Sequence, residues 1–93
     1  MHIIAKRTLR AFWDQYPDAE EPLTRWHAIL EKASPADFAT LKALFGSSDW
    51  VDGYVVFDVG GNKYRLVCDV VFRSQTVFIK YVFTHAEYDK WAP

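Results

Sequence analysis

A chain of 93 residues that is 51% hydrophobic and 17% aromatic is too rich in core formers to be a disordered segment. It is also too short for a second core, because a domain of this size buries only roughly 60–68% of its unfolded surface. No apolar run approaches the ~20 residues that span a bilayer, no signal peptide opens the chain, and the single cysteine, Cys68, has no intrachain partner, so one reduced cytoplasmic domain covering residues 1–93 is expected. The net charge of −1 hides a division: residues 11–59 carry three cations against nine acids, whereas residues 60–93 carry five cations against three acids. Such a division lets a basic face exist on a molecule that is not basic overall, and it is equally compatible with an ordinary mixed surface.

In chain order, Met1 to Lys6 is β-branched at its centre and suits a first strand. Thr8 is the expected N-cap of a helix with the apolar stripe Leu9, Phe12, Trp13 and Tyr16, which Pro17 stops at Tyr16. An acidic lead-in from Asp18 to Glu21 precedes Pro22, the expected start of a second, antiparallel helix carrying Leu23, Trp26, Leu30 and Ala33. Phe12, Trp13 and Trp26 are expected to form the layer packed on a sheet rather than a cofactor site, and His27 a helix-surface or boundary residue rather than a ligand. Ser34, Pro35 and Asp37 open a third short helix with Ser34 as its expected cap, Phe38, Leu41, Leu44 and Phe45 as its apolar side, and Gly46 as its end. Gly46 to Gly53 is expected to be a turn-rich loop around Trp50.

The remainder is a three-strand meander. Two runs of alternating and β-branched residues, Tyr54 to Val59 and Lys63 to Phe72, meet at Gly60-Gly61-Asn62, residue types that accept the positive φ of a tight turn. A second turn at Arg73-Ser74-Gln75 sends Thr76 to Thr84 back as a third strand. Thr84 followed three residues later by Glu87 has the spacing of a capping box, so His85 to Lys90 is expected to be one short helical turn. Cys68 lies mid-strand and reads as a small buried apolar residue rather than a nucleophile.

His85, Glu87, Tyr88 and Lys90 fall together in that turn. Cleavage of RNA by its own 2′-hydroxyl needs a proton acceptor, charge neutralisation at the phosphorane-like transition state, and a proton donor for the leaving 5′-oxygen. A histidine, which titrates near ~6.5 when unperturbed, serves as acid or base without special tuning. Tyr88 would be a base only if cations lowered its pKa, and Lys63, Arg65, Arg73 and Lys80 are the candidates for that and for holding phosphates. Tyr64, Tyr81 and Trp91 are candidates for stacking on bases. The plainer reading has Thr84 and Glu87 merely capping a turn, and the strand cations protecting a sheet edge. The GGN segment lacks a following helix and is a hairpin turn rather than a phosphate loop.

GGNKYRLV at Gly60 to Val67, the apolar third strand, THAEYDK at Thr84 to Lys90 and the opening MHIIAKRTLRAFWDQYPDAEEPLTRW resemble the HigB family of type II toxin–antitoxin toxins, relatives of the RelE mRNA interferases. The resemblance implies a RelE-like α+β fold, with two to three N-terminal helices packed on a mostly antiparallel four-stranded sheet and a short C-terminal helical turn. It implies a metal-independent endoribonuclease without cofactors that cleaves mRNA, commonly on the translating ribosome, and so inhibits translation. It implies a HigA-like helix-turn-helix antitoxin as partner, operator DNA bound only through the antitoxin complex, and no membrane contact. Carried over by motif, Lys63, Arg65, His85 and Tyr88 become the expected catalytic residues, and Glu87 and Lys90 expected RNA-binding residues. Arg73 and Lys80 join the RNA-binding set because RelE-like sites are lined with cations from these strands. Two positions depart from the family pattern: Asp58 stands where Asn is usual, and Phe83 where a small residue often precedes the Thr-His pair. Two other readings stay open, a noncatalytic RelE-fold binding module and a toxin acting on another target such as a topoisomerase.

Overall fold

The strands of the meander alternate between two faces, and the apolar set on one face needs a cover. In the computed structural model, which describes residues 1–91, three helices provide it. The elements run β1 (His2–Ile4), α1 (Lys6–Gln15), a 3-10 turn (Pro17–Ala19), α2 (Glu20–Lys32), α3 (Phe38–Leu44), β2 (Ser48–Val51), β3 (Tyr54–Val59), β4 (Tyr64–Val71), β5 (Thr76–Thr84) and α4 (His85–Trp91). They form one five-stranded mixed sheet in the order β1-β5-β4-β3-β2, parallel between β1 and β5 and antiparallel elsewhere. Among the described residues no helix is long and apolar enough to cross a membrane.

The core lies between the sheet and the first three helices. Leu9, Leu23, Trp26, Leu30 and Leu41 from the helices meet Val55, Phe57, Val59, Tyr64, Leu66, Cys68 and Val77 from the strands. Phe57 is its centre, with the Trp26 ring 5.3 Å away and the Phe45 ring 5.2 Å away, both edge-on. Truncating such a fully buried ring to alanine costs about 3–5 kcal/mol.

Three expectations about this layer change. The sheet has five strands, not four, because Ser48 to Val51 pairs with β3 from Ser48↔Phe57 to Val51↔Tyr54 instead of looping. Its Ser and Asp suggest a turn in isolation, yet Ser48 is fully buried and its hydroxyl donates to the Phe45 carbonyl at 2.6 Å. Helix starts also move. Thr8 lies inside α1, whose N-cap is Ala5; α2 begins at Glu20, with Pro22 within its first turn; and Asp37 rather than Ser34 caps α3, accepting from the Thr40 amide at 2.9 Å. His27 is buried within α2, and that burial pulls its pKa below the ordinary imidazole value.

The opposite face of the sheet carries Asp58, Arg65, Val67, Tyr81 and Phe83 by strand alternation, and α4 folds back over it. Trp91 anchors α4 there, its ring 5.9 Å from Tyr54, 5.7 Å from Tyr81 and 5.9 Å from Phe83. A bulge opposite Val67 and Cys68 leaves Lys80 out of register, so Val77 and Ile79 face the helices before it and Val82 after it.

Candidate active site

The site begins at the hairpin turn. Gly60, Gly61 and Asn62 all have positive φ, 67°, 62° and 77°, a run that asks for glycine and asparagine. A Cβ on Gly60 would also meet the Tyr64 ring at 3.1 Å. The turn aims both the carbonyl and the side-chain oxygen of Asn62 at Arg65. Its far side is tied to α4, since the Lys63 carbonyl accepts from the His85 amide at 3.0 Å.

Arg65 is the buried centre, its side chain only 9% exposed. Nη1 donates to the carbonyls of Asn62 at 3.1 Å and Tyr64 at 3.2 Å, and Nη2 to Asn62 Oδ1 at 2.6 Å, while Nε lies 2.8 Å from Asp58 Oδ1 in an ion pair. Both Nη groups are therefore hydrogen-bonded within the protein, and Nε faces a carboxylate. The Tyr88 ring covers what remains, with the guanidinium carbon 5.6 Å from the ring centroid.

Helix α4 positions the other groups. Thr84 and Glu87 form the expected capping box, the Thr84 amide donating to Glu87 at 2.8 Å and the Glu87 amide to Thr84 Oγ1 at 3.2 Å. On the next turn His85 Nδ1 lies 3.1 Å from Asp89 Oδ2, with the imidazole side chain 46% exposed. A carboxylate held at Nδ1 fixes ring orientation and leaves Nε2 for proton exchange. Burial pushes the Tyr88 phenol above its ordinary pKa; Arg65 pulls it down, while Asp49, Asp58 and Asp89 add to the rise. The condition set for a Tyr88 base, a pKa lowered by cations, is not met, because desolvation and the acids outweigh the one nearby guanidinium.

Residues 19–91 of the chain match the family described as HigB_toxin, RelE-like toxic component of a toxin-antitoxin system. The chain belongs to the HigB toxin family. It is 37% identical over 92 residues to the mRNA interferase toxin HigB of Escherichia coli (strain K12), covering 96% of this chain and 88% of the relative. The mRNA interferase HigB of Shigella flexneri matches to the same extent, and that of Escherichia coli O6:H1 is 31% identical over 96 residues, covering 97% of this chain and 90% of the relative.

Within this HigB chain the expected site residues separate into groups. Tyr88 lies over Arg65 at the α4 end of the sheet, and His85 begins the same helix, its amide bonded to the Lys63 carbonyl. Glu87 is committed to the cap of α4, and Lys90 stands exposed on the same helix. The Lys63 ammonium turns to the helical side instead, 3.0 Å from Asp18, which also accepts from the Tyr64 hydroxyl. Arg73 lies in the turn at the other end of the β4–β5 hairpin, about 25 Å along the strands from His85 at ~3.3 Å per residue. Lys80 sits at the bulge, exposed, with its ammonium 5.8 Å from the Phe78 ring. Tyr64 is buried in the core rather than open for stacking, and hydrogen bonding to Asp18 holds its phenol up at about 12. Cys68 is fully buried and its thiol is pushed up by burial, as expected of a packing residue.

Four contributors escaped the sequence reading: Asp58 and Asn62 as partners of Arg65, Asp89 as partner of His85, and Asp18 as partner of Lys63. Only Asp89 carried a local signal, its four-residue spacing from His85 on a helix.

Proposed function

We propose that this chain is the toxin of a type II toxin–antitoxin pair and an endoribonuclease that cleaves mRNA without a metal, acting on the translating ribosome in the cytoplasm as one domain spanning residues 1–93. The observation that carries this reading is the Arg65 guanidinium lying under the Tyr88 ring on the helix that His85 begins, where α4 crosses the end of the sheet. In the proposed chemistry the His85 imidazole exchanges the proton of the 2′-hydroxyl or of the leaving 5′-oxygen, oriented by Asp89. Tyr88 donates a hydrogen bond or proton from its neutral phenol, and Arg65 contributes its positive charge toward the phosphate. Lys90 and Lys80 add exposed positive charge for the RNA backbone, and Lys63 does so on release from Asp18. The products are a 2′,3′-cyclic or 3′-phosphate and a 5′-hydroxyl. The partner is a HigA-like antitoxin with a helix-turn-helix, and operator DNA is bound through the toxin–antitoxin complex only.

Arg65 also favours a second reading. A guanidinium whose Nη groups already bond Asn62 and Tyr64 and whose charge is paired with Asp58 is a weak phosphate clamp, which suits a toxin fold that binds its antitoxin without cutting. Primer-extension mapping of mRNA ends after brief induction separates the two. New ends within translated codons, lost in His85→Ala at matched soluble level with antitoxin binding retained, support the nuclease; growth arrest without new ends moves the target elsewhere, and neither ends nor arrest leaves a binding module.

A further inference from the structure

On the face of the sheet that carries Arg65, the rings of Tyr81 and Phe83 lie 5.2 Å apart and 9° from parallel. Trp91 leans on both from α4 and also touches Tyr88 at 5.9 Å, so an unbroken aromatic surface runs from the middle of β5 to the proposed catalytic groups. This surface is not sealed. Tyr81 remains 42% exposed, on the stretch of β5 that pairs with β4 at Val67 and lies beyond Phe78, the last residue paired with β1. Phe83 adjoins the Thr84-His85 pair, and Tyr81 lies two residues further back, about 7 Å along the strand. The cations follow the rings: exposed Lys80 precedes Tyr81 and exposed Lys90 precedes Trp91 in the chain. An open π surface flanked by positive charge and leading to a phosphodiester-cleaving site has the chemistry of a single-strand binding groove, where bases stack and cations follow the backbone.

The geometry points to a nucleobase-stacking subsite formed by Tyr81 and Phe83, occupied by one unpaired base of the RNA next to the cleaved bond. This rests on the reading of the chain as an mRNA-cleaving toxin. The subsite takes any base, because each has a π face, and it orients the sugar whose 2′-hydroxyl or 5′-oxygen must meet His85. Asp58 and Asp49 crowd the Arg65 side of the face, so a stacked base on the Tyr81 side also leads the phosphates away from those carboxylates.

The test uses ribosomes programmed with a short synthetic mRNA. The toxin concentration for half-maximal cleavage and the maximal rate are measured for the wild type, Tyr81→Leu and Tyr81→Trp. Each is assayed on the intact mRNA and on copies lacking one base at a time around the cleaved bond. Tyr81→Leu is expected to raise the half-maximal concentration ~5- to 150-fold, the range for losing one stacked base, and Tyr81→Trp to restore it. One abasic copy is expected to penalise the wild type by a similar factor and Tyr81→Leu no further, the signature of a shared contact. Normal cleavage by a folded Tyr81→Leu, or a wild type indifferent to every abasic position, overturns the subsite while leaving the nuclease intact. A wild type that does not cleave overturns both. Unchanged cleavage with lost antitoxin binding would assign the rings to the protein partner and overturn the subsite. The abasic scan on the wild type decides the matter even if Tyr81→Leu fails to fold.

Discussion

Asp58 and Arg65 stand directly opposite each other across β3 and β4 as an ion pair, with Nε 2.8 Å from Oδ1. Cross-strand register brings the acid to the cation, and the Gly60–Asn62 turn supplies the remaining acceptors. Arg65 is thus both a charge at the site and the bolt of the hairpin. Arg65→Lys is expected to lower both stability and cleavage, because three ammonium donors cannot replace a fork that spans Asp58, Asn62 and Tyr64. Arg65→Met leaves a carboxylate and carbonyls unmet and is expected to cost about 3 kcal/mol. Asp58→Asn keeps an acceptor for Nε, removes a negative charge near the substrate phosphate, and is expected to cost under about 1 kcal/mol while increasing cleavage. Denaturant melts alongside cleavage rates at matched folded concentration check all three; an Asp58→Asn protein that folds normally but cuts more slowly contradicts the electrostatic part.

His85 and Asp89 form a pair one helical turn apart. His85→Ala is expected to reduce cleavage by ~10²–10⁴, the usual contribution of a general acid or base. Asp89→Asn retains the helix and a hydrogen-bonding group but loses the charge that orients the imidazole, so a smaller loss is expected. Single-turnover rates on programmed ribosomes, with antitoxin binding as the folding control, measure both. Equal activity of Asp89→Asn and wild type would remove the pair from the mechanism.

Tyr88 has its pKa raised, chiefly by burial. A phenol whose pKa lies above the ordinary value near ~10 is neutral throughout the physiological range, so it donates and does not accept. Tyr88→Phe keeps the ring over Arg65 and is expected to lower the rate by the same factor at every pH from about 6 to 9. A defect that grows with pH across that window would restore the base role that the structure argues against.

The Tyr64–Asp18 pair makes a separate prediction about stability. Hydrogen bonds from Tyr64 and Lys63 hold Asp18 below its ordinary value of 3.8, and the same bond raises Tyr64 to about 12. The depressed carboxyl contributes stability above its unfolded pKa and loses it as pH falls through the folded one. The raised phenol contributes below its unfolded value and loses it as pH rises toward the folded one. Wild type is therefore expected to exceed Tyr64→Phe in melting temperature by a steady margin between about pH 5 and pH 9, with the margin closing on either side. Thermal melts across the pH range would expose a mistake as a margin that does not shrink as the pH falls below about 4, the ordinary carboxylate value.

What the sequence made legible was local. Gly60-Gly61-Asn62 needed positive φ, Thr84 and Glu87 had capping-box spacing, and the β-branched runs around them became β3, β4 and β5 within a residue of expectation. Ser48 to Val51 was hidden because its polar residues signal a turn until β3 lies beside them. The Lys63–Asp18 contact joins residues 45 apart in the chain, which no motif records. Arg65 was found by motif, but its partners were not, since neither its hydrogen bonds to Asn62 and Tyr64 nor the burial that raises the Tyr88 pKa is a property of the residue alone.

The first strand docks in parallel on the last, His2 opposite Thr76 and Ile4 opposite Phe78. During synthesis the residues of β1 leave the ribosome early and must wait, unpaired, until nearly the whole chain has followed them. The sheet edge then closes in one late, long-range step, the kind that loop-closure entropy makes slow. Because β5 runs straight into α4, the same step frames the helix that carries His85 and Tyr88. A chain that stops short of β5 therefore lacks both the docking edge for β1 and the helix that carries His85 and Tyr88.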